Sequence, residues 1–297
     1  MTDSTVVALC ADKNIEVGLH VTLHSLVTNS LSRVKIFLVL KGYGACDIQN
    51  IHRSLENTGG DYELIPIAFD DQMFKQLKGL HGNTFAYTRM MLPQLLDEPK
   101  VIYLDSDLVV NTDLTFLFKT SLEGCLVGAS GIGNIEWALE KQFFLSLGMD
   151  KSAKYFNSGV LLLDLDKWRN ERVLEKCLQF ANKYPRELST ADQTILNYIF
   201  YPNNFLELPE KWNCALYPNS DYRRLDISDR ILHFVGSPKP WDLGGEFLHA
   251  SFPIFEATLK QTYFKDFRSY KRINMRKIWR TLRLMRSYWK NTTFHVR

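Results

Sequence analysis

Residues 101–110 read VIYLDSDLVV, and this stretch decides the fold. Val101, Ile102, Tyr103 and Leu104 form an unbroken apolar run, the pattern of a strand buried on both faces. The run ends in Asp105, Ser106 and Asp107. Side chains two residues apart point the same way along a strand, so both carboxylates can address one spot where the strand opens into a loop. Two like charges that close repel, and one of them is expected to titrate high. A divalent cation resolves the conflict, and oxygen ligands of this kind suit Mg²⁺ or Mn²⁺. The alternative is a pair of solvated loop aspartates, one of them capping a helix.

The surrounding pattern places that strand. TVVALCA (5–11), RVKIFLVL (33–40) and YELIPIA (62–68) read as strands. Between them, residues 11–30 and 46–59 carry apolar residues at helical spacing. NTFAYTRMMLPQLL (83–96) reads as a helix that Pro93 kinks or restarts. Strand alternating with helix predicts an α/β fold with a mixed, mostly parallel sheet flanked by helices. Ligands gather at the carboxyl ends of such strands. Beyond residue 110 the pattern is mixed: CLVGAS, NSGVLLLDL and RILHFVG read as strands, and 169–183 and 189–200 as helices.

The chain has 297 residues, 45% hydrophobic and 23% charged, as an ordinary globular protein does. Its five cysteines, Cys10, Cys46, Cys125, Cys177 and Cys214, form no C-x-x-C pair, which argues against a zinc site or a disulfide framework. The N-terminus lacks the basic region of a signal peptide, and no apolar run approaches the roughly 20 residues that cross a bilayer. These features lead us to expect a cytoplasmic protein. The net charge of +3 hides a split: residues 265–297 hold 11 Lys or Arg and one acid, the rest 25 basic and 32 acidic residues. RKIWRTLRLMRSYWK (276–290) is amphipathic as a helix, with aromatic residues among the basic ones. We therefore expect residues 1–264 to form the main domain. Residues 265–297 are expected to form a basic tail on the inner face of the membrane, with packing on the body or a nucleic-acid contact as alternatives.

No G-x-G-x-x-G, Walker-type or G-x-S-x-G motif occurs. Four other stretches carry candidate chemistry. In CADKN, Asp12 and Asn14 stand at a strand end, placed to bond a base or ribose or to cap a helix. In FNSGVLLLDL, Asn157 precedes a Ser-Gly pair that reads as a turn open to a ligand. In STADQTILNYIF, Asp192 and Gln193 open a helix, where acids also serve as dipole partners. In ILHFVGSPKPW, His233 lies on an apolar strand, where a histidine is commonly a core residue, but Gly236 and Lys239 follow at once.

LDSDLVV, FNSGVLLLDL, ADQTILN and HFVGSPKPW together resemble the family 8 glycosyltransferases. These are retaining enzymes of GT-A fold that include bacterial lipopolysaccharide and lipooligosaccharide α-galactosyl- and α-glucosyltransferases. The resemblance runs over about residues 5–245. It implies that Asp105, Asp107 and His233 bind Mn²⁺, with Mg²⁺ as a substitute, and that the metal bridges the phosphates of a UDP-sugar. It further implies that Asp12 and Asn14 hold uracil and ribose, while Gly236 and Lys239 lie against the diphosphate. His81 and Arg89 come near the phosphates and the sugar, with Ser106 beside them between the metal aspartates. Asn157, Asp192 and Gln193 line the donor sugar. Ile15 stands where many relatives carry an aromatic residue, so an aliphatic contact replaces base stacking there. The implied reaction moves galactose or glucose to a saccharide or glycolipid. Retention needs either a nucleophile, for which Asp192 and Gln193 are the candidates, or attack from the leaving-group side, which we favour. Trp212, Tyr217 and Tyr222 are expected to pack on an acceptor sugar. Two other classes share part of the pattern. A sugar nucleotidyltransferase needs a Gly-rich loop after the first strand, which CADKNIEVG lacks. A non-catalytic glycan- or membrane-binding protein would have lost one of Asp105, Asp107, His233 or Lys239.

Overall fold

The structure, a computed structural model, describes residues 4–79, 83–202, 204–220 and 222–272, together with Trp279, Thr281 and Trp289. His81 and nearly all of the basic segment after residue 272 lie outside the described residues.

Ten strands form among the described residues: β1 (Thr5–Asp12), β2 (Val34–Lys41), β3 (Tyr62–Ala68), β4 (Lys100–Leu104), β5 (Leu108–Val110), β6 (Val127–Asn134), β7 (Lys154–Asp164), β8 (Leu206–Leu208), β9 (Cys214–Leu216) and β10 (Ile231–Phe234). Seven make one sheet in the order β3-β2-β1-β4-β7-β6-β8, and β5-β10-β9 make a second. In the large sheet only β7 runs antiparallel to its neighbours, so four of the six pairings are parallel.

Strand alternation separates two cores. Val7, Leu9 and Ala11 face Leu19, Leu23 and Leu26 of helix Glu16–Thr28 and Ile51 and Leu55 of helix Ala45–Leu55. Val6 and Ala8 face Tyr87, Met90, Phe180, Ile195 and Leu196 on the other side. Each fully buried leucine here contributes about 2 kcal/mol. The layers are therefore helix, sheet, helix. A third apolar cluster, with Val109, Leu232, Phe234, Trp241 and Phe255, backs the small sheet. Packing on this body continues past residue 264: Ser269 is buried and its hydroxyl bonds the Gly244 amide and Glu246.

After β1 the chain moves outward to β2 and β3, and β4 then returns to the opposite side of β1. The carboxyl ends of β1 and β4 thus flank the switch point of the sheet, where open α/β sheets hold their ligands. Asp12 ends β1, and Asp105 follows β4.

The structure departs from the sequence reading in two places. Residues 85–91 are a 3-10 helix, followed by a short α-helix, Leu92–Leu95, with Pro93 in its first turn. Asn157, Ser158 and Gly159 are not a turn but lie inside β7. His233 lies on a strand as read, and that strand belongs to the small sheet, which the sequence reading left unassigned.

Candidate active site

Asp105, Asp107 and His233 meet, each offering one ligand atom within 4.8 Å of the others. The His233 Nε2 atom is 3.2 Å from Asp107 Oδ1 and 3.9 Å from Asp105 Oδ2. Local folding brings about the meeting. Asp105 N–H donates to the Gly159 carbonyl at 2.7 Å, which ties the end of β4 to β7. His233 pairs antiparallel with Leu108, so β10 runs directly beside the Asp-Ser-Asp turn. Ser106 is buried, and its hydroxyl reaches the Cys10 carbonyl at 3.4 Å, anchoring the turn to β1.

Lys239 closes the far side. Its ammonium bonds Asp107 Oδ2 at 2.6 Å and also the Phe234 carbonyl. Gly236 turns the intervening loop with a φ of +78°, a conformation glycine alone adopts without strain. Burial alone would push the Asp107 carboxyl up, but the Lys239 ammonium outweighs it and holds the group well below the usual carboxylate range. Asp107 Oδ1 is nevertheless buried with no hydrogen-bond partner.

Arg89 is buried between two carboxylates, 2.9 Å from Asp105 Oδ1 and 3.0 Å from Asp192 Oδ2. Its Nη1 also donates to the Ser158 carbonyl at 2.5 Å. Burial would favour the neutral guanidine, but Asp105 and then Asp192 keep it charged. Tyr103 donates its hydroxyl to Asp105 Oδ1 at 2.7 Å. Asp107, held low, is not the high-titrating member of the pair that the sequence led us to expect, but one carboxyl nearby does titrate high. It is Asp192, which burial raises to about 6 against the opposing charge of Arg89.

Asp192 opens helix Asp192–Ile199 but points inward. Ala191 precedes it at φ +56°, a strained conformation for a side-chain-bearing residue. Gln193 is clamped at both ends: Oε1 accepts from Ser158 N–H at 3.1 Å, and Nε2 donates to Tyr155 Oη at 2.8 Å. Tyr155 in turn donates to buried Glu140 at 3.2 Å.

At the end of β1, Asp12 accepts from Asn14 N–H and Asn14 Nδ2, both at 2.9 Å, and from Asn83 Nδ2 at 2.8 Å. Asp12 therefore does not cap the next helix; it braces a turn whose Asn14 is exposed. Trp212 is buried in the core and so cannot pack on an acceptor sugar, whereas Tyr217 is exposed. Sequence reasoning missed Tyr103, Asn83, Glu140, Tyr155 and Asn213. Each acts through another side chain, so no chemical signature in the sequence marks its role.

A mostly parallel sheet with an Asp-x-Asp turn at its switch point defines a glycosyltransferase of GT-A fold. A sequence model described as Glycosyl transferase family 8 matches residues 6–243, and the chain belongs to that family. It is similar to general stress protein A of Bacillus subtilis, 27% identical over 78% of this chain and 86% of that one. It is also similar to lipopolysaccharide 1,2-glucosyltransferase of Escherichia coli, 25% identical over 88% and 79%. Glycosyltransferase GlyE of Streptococcus pneumoniae is 30% identical over 71% of this chain, which spans only 50% of that longer protein. Among solved structures, galactosyltransferase LgtC in complex with donor and acceptor sugar analogues superposes with a TM-score of 0.72. That match is 21% identical and covers 93% of this chain and all of the other. The protein is a glycosyltransferase.

Proposed function

We propose that this enzyme moves a hexose, galactose or glucose, from a UDP-sugar to a saccharide or glycolipid acceptor, with retention at the anomeric carbon. The setting is synthesis of cell-surface polysaccharide or lipopolysaccharide, which the name of the Escherichia coli relative supports. The reading rests above all on Asp105, Asp107 and His233 converging at the switch point of the sheet.

The residues fit a divalent cation. Two carboxylates and an imidazole are ligands that Mn²⁺ accepts, and Mg²⁺ in its place. Asp107 Oδ1 is an orphaned buried acceptor, which a cation satisfies. Asp105, Asp107 and His233 would hold the ion, which would supply positive charge against the leaving diphosphate.

The remaining roles belong to the chain itself. Lys239 brings a second positive charge, and exposed Gly236 lets the diphosphate approach the backbone. Asp12 and Asn14 take uracil and ribose, with Ile15 as the aliphatic contact. Ser106 holds the turn between Asp105 and Asp107 beside the diphosphate. Arg89 holds Asp105 and Asp192 in place, and Asn157, Asp192 and Gln193 line the donor sugar. The reacting carbon becomes oxocarbenium-like as the bond to UDP breaks. Gln193 already spends its carbonyl oxygen on Ser158, and Asp192 faces Arg89. Those engagements favour attack from the leaving-group side, with a phosphate oxygen accepting the acceptor's proton.

The basic segment 265–297, whose first residues still pack on the body, places this catalytic body at the inner membrane face, at roughly 1 kcal/mol per basic residue near anionic lipid. Among the described residues no helix is long and apolar enough to cross a membrane. Flotation with anionic vesicles, lost on deleting residues 273–297, tests the tail.

A donor screen tests the reaction. Each UDP-sugar is incubated with Mn²⁺, and slow release of UDP is measured without acceptor. One UDP-hexose is expected to turn over, EDTA to stop it, and Asp107→Ala to abolish it. Turnover of no UDP-sugar by the intact protein would discard the reading.

A further inference from the structure

Asn213 holds His233 from behind, and the hydrogen bonds around it admit one orientation only. Gly159 N–H, which can only donate, points at Asn157 Oδ1 at 2.8 Å. That oxygen is therefore an acceptor, and the Asn213 atom 2.9 Å from it must be the amide nitrogen. The other end of the Asn213 amide, its oxygen, then faces His233 Nδ1 at 2.9 Å. An oxygen there accepts, so Nδ1 must carry a proton. In a neutral imidazole the lone pair is left on Nε2, the atom that faces Asp105 and Asp107.

We infer that Asn213 is a positioning residue that fixes His233 in the Nδ1–H tautomer and so presents Nε2 to a divalent cation. The direction of this relay is set by a backbone amide of β7, whose proton cannot move. Asn213 is itself buried and held at its backbone, where its N–H donates to the Glu210 carbonyl at 2.9 Å. It stands immediately before β9, which pairs with β10 so that Ala215 lies beside His233. Side chains that fix the tautomer of a metal-bound histidine commonly change affinity about 10- to 100-fold when removed. The inference rests on the metal-site reading above, but it has a readout without metal.

Histidine-selective ¹⁵N NMR at about pH 8, with His233→Ala for assignment among the seven histidines, should find a proton on His233 Nδ1 in the metal-free protein. An unprotonated Nδ1 in the wild type overturns the proposal. Mn²⁺ binding is followed by calorimetry on wild type, Asn213→Leu and Asn213→Asp, each checked for folding by circular dichroism. Asn213→Leu, which removes the acceptor, should weaken Mn²⁺ about 10- to 100-fold. Asn213→Asp, which keeps an acceptor for Nδ1–H, should restore most of that loss. Wild-type affinity in the Leu variant, or equal losses in both, overturns the role of the amide oxygen. A wild type with protonated Nδ1 that binds no Mn²⁺ leaves the relay standing and removes the metal-site reading instead.

Discussion

Gly159 shows at the scale of one residue why the sequence misled in part. A Ser-Gly pair reads as a turn, because glycine weakens strands. Here the glycine lies within β7, and its missing side chain makes room for a ring. A Cβ at that position would collide with His233 Cε1 and come within 2.8 Å of Asp105 Oδ2 and His233 Nδ1. Gly159→Ala should therefore push His233 off the aspartates, weakening Mn²⁺ at least about tenfold in calorimetry while costing about 1–3 kcal/mol of stability. Unchanged Mn²⁺ affinity would show that the ring yields freely. Asp192 gives the pH dependence. Its folded pKa of about 6 lies above the ordinary aspartate value of 3.8, so the folded state holds that proton more tightly. Stability from this group is present at low pH and is lost as pH rises from the unfolded value through about 6. The two values differ by an amount worth about 3 kcal/mol. Asp192→Asn should gain on the wild type by most of that amount between about pH 4.5 and pH 7, as urea unfolding in EDTA would measure. A constant difference between the two proteins across that range would contradict the buried, high-titrating carboxyl.

Helix Asp192–Ile199 depends on a contact made far from it in sequence. Glu140 accepts from Thr190 N–H at 2.9 Å, from Thr194 Oγ1 at 2.6 Å and from Thr190 Oγ1. With Tyr155 added, one buried carboxylate fixes both the strained entry to the helix and the phenol that holds Gln193. Glu140→Ala strands several buried donors at once. Unfolding should show a loss of about 3–5 kcal/mol, and turnover should fall by about tenfold or more as Gln193 loosens. Full activity in a destabilised variant would separate the helix anchor from catalysis. The same element marks the limit of the sequence reading. Its apolar spacing announced a helix near 189–200, and Asp192 and Gln193 stood out at its start. Nothing in the spacing revealed Glu140, which is 50 residues from Thr190. The stretch 85–91 failed differently. Phe85 and residues 87–91 are all buried, so no exposed face separates a 3.6-residue from a 3.0-residue turn. β5 and β9, of three residues each, are too short for any period to show. They exist because β10 pairs with both.

The whole molecule joins two sheets at one point. Most of the large sheet was legible, because β1 to β4 are apolar runs alternating with helices, but its edge strand β8, of three residues, was not. The small sheet was not, and with it went the placement of His233, which the resemblance of HFVGSPKPW supplied and periodicity could not. Asp105 closes β4 of the large sheet, whereas Asp107 precedes β5 and His233 lies on β10 of the small one. A cation held by all three would therefore staple one sheet to the other. Ligand that binds only the folded state, at 100 times its dissociation constant, stabilises by about 2.7 kcal/mol. In a domain of this size that raises the melting temperature by roughly 5 °C or more. The effect should also be local. Amides of β5 and β10 should exchange more slowly with Mn²⁺ present, because openings that part the small sheet from the large one must first release the ion. Amides of β3, at the opposite edge of the large sheet, should slow only as far as global unfolding does. Asp107→Asn should lose both effects. Uniform protection across both sheets, or a melting shift that survives in Asp107→Asn, would place the cation elsewhere and dissolve the link between the two sheets.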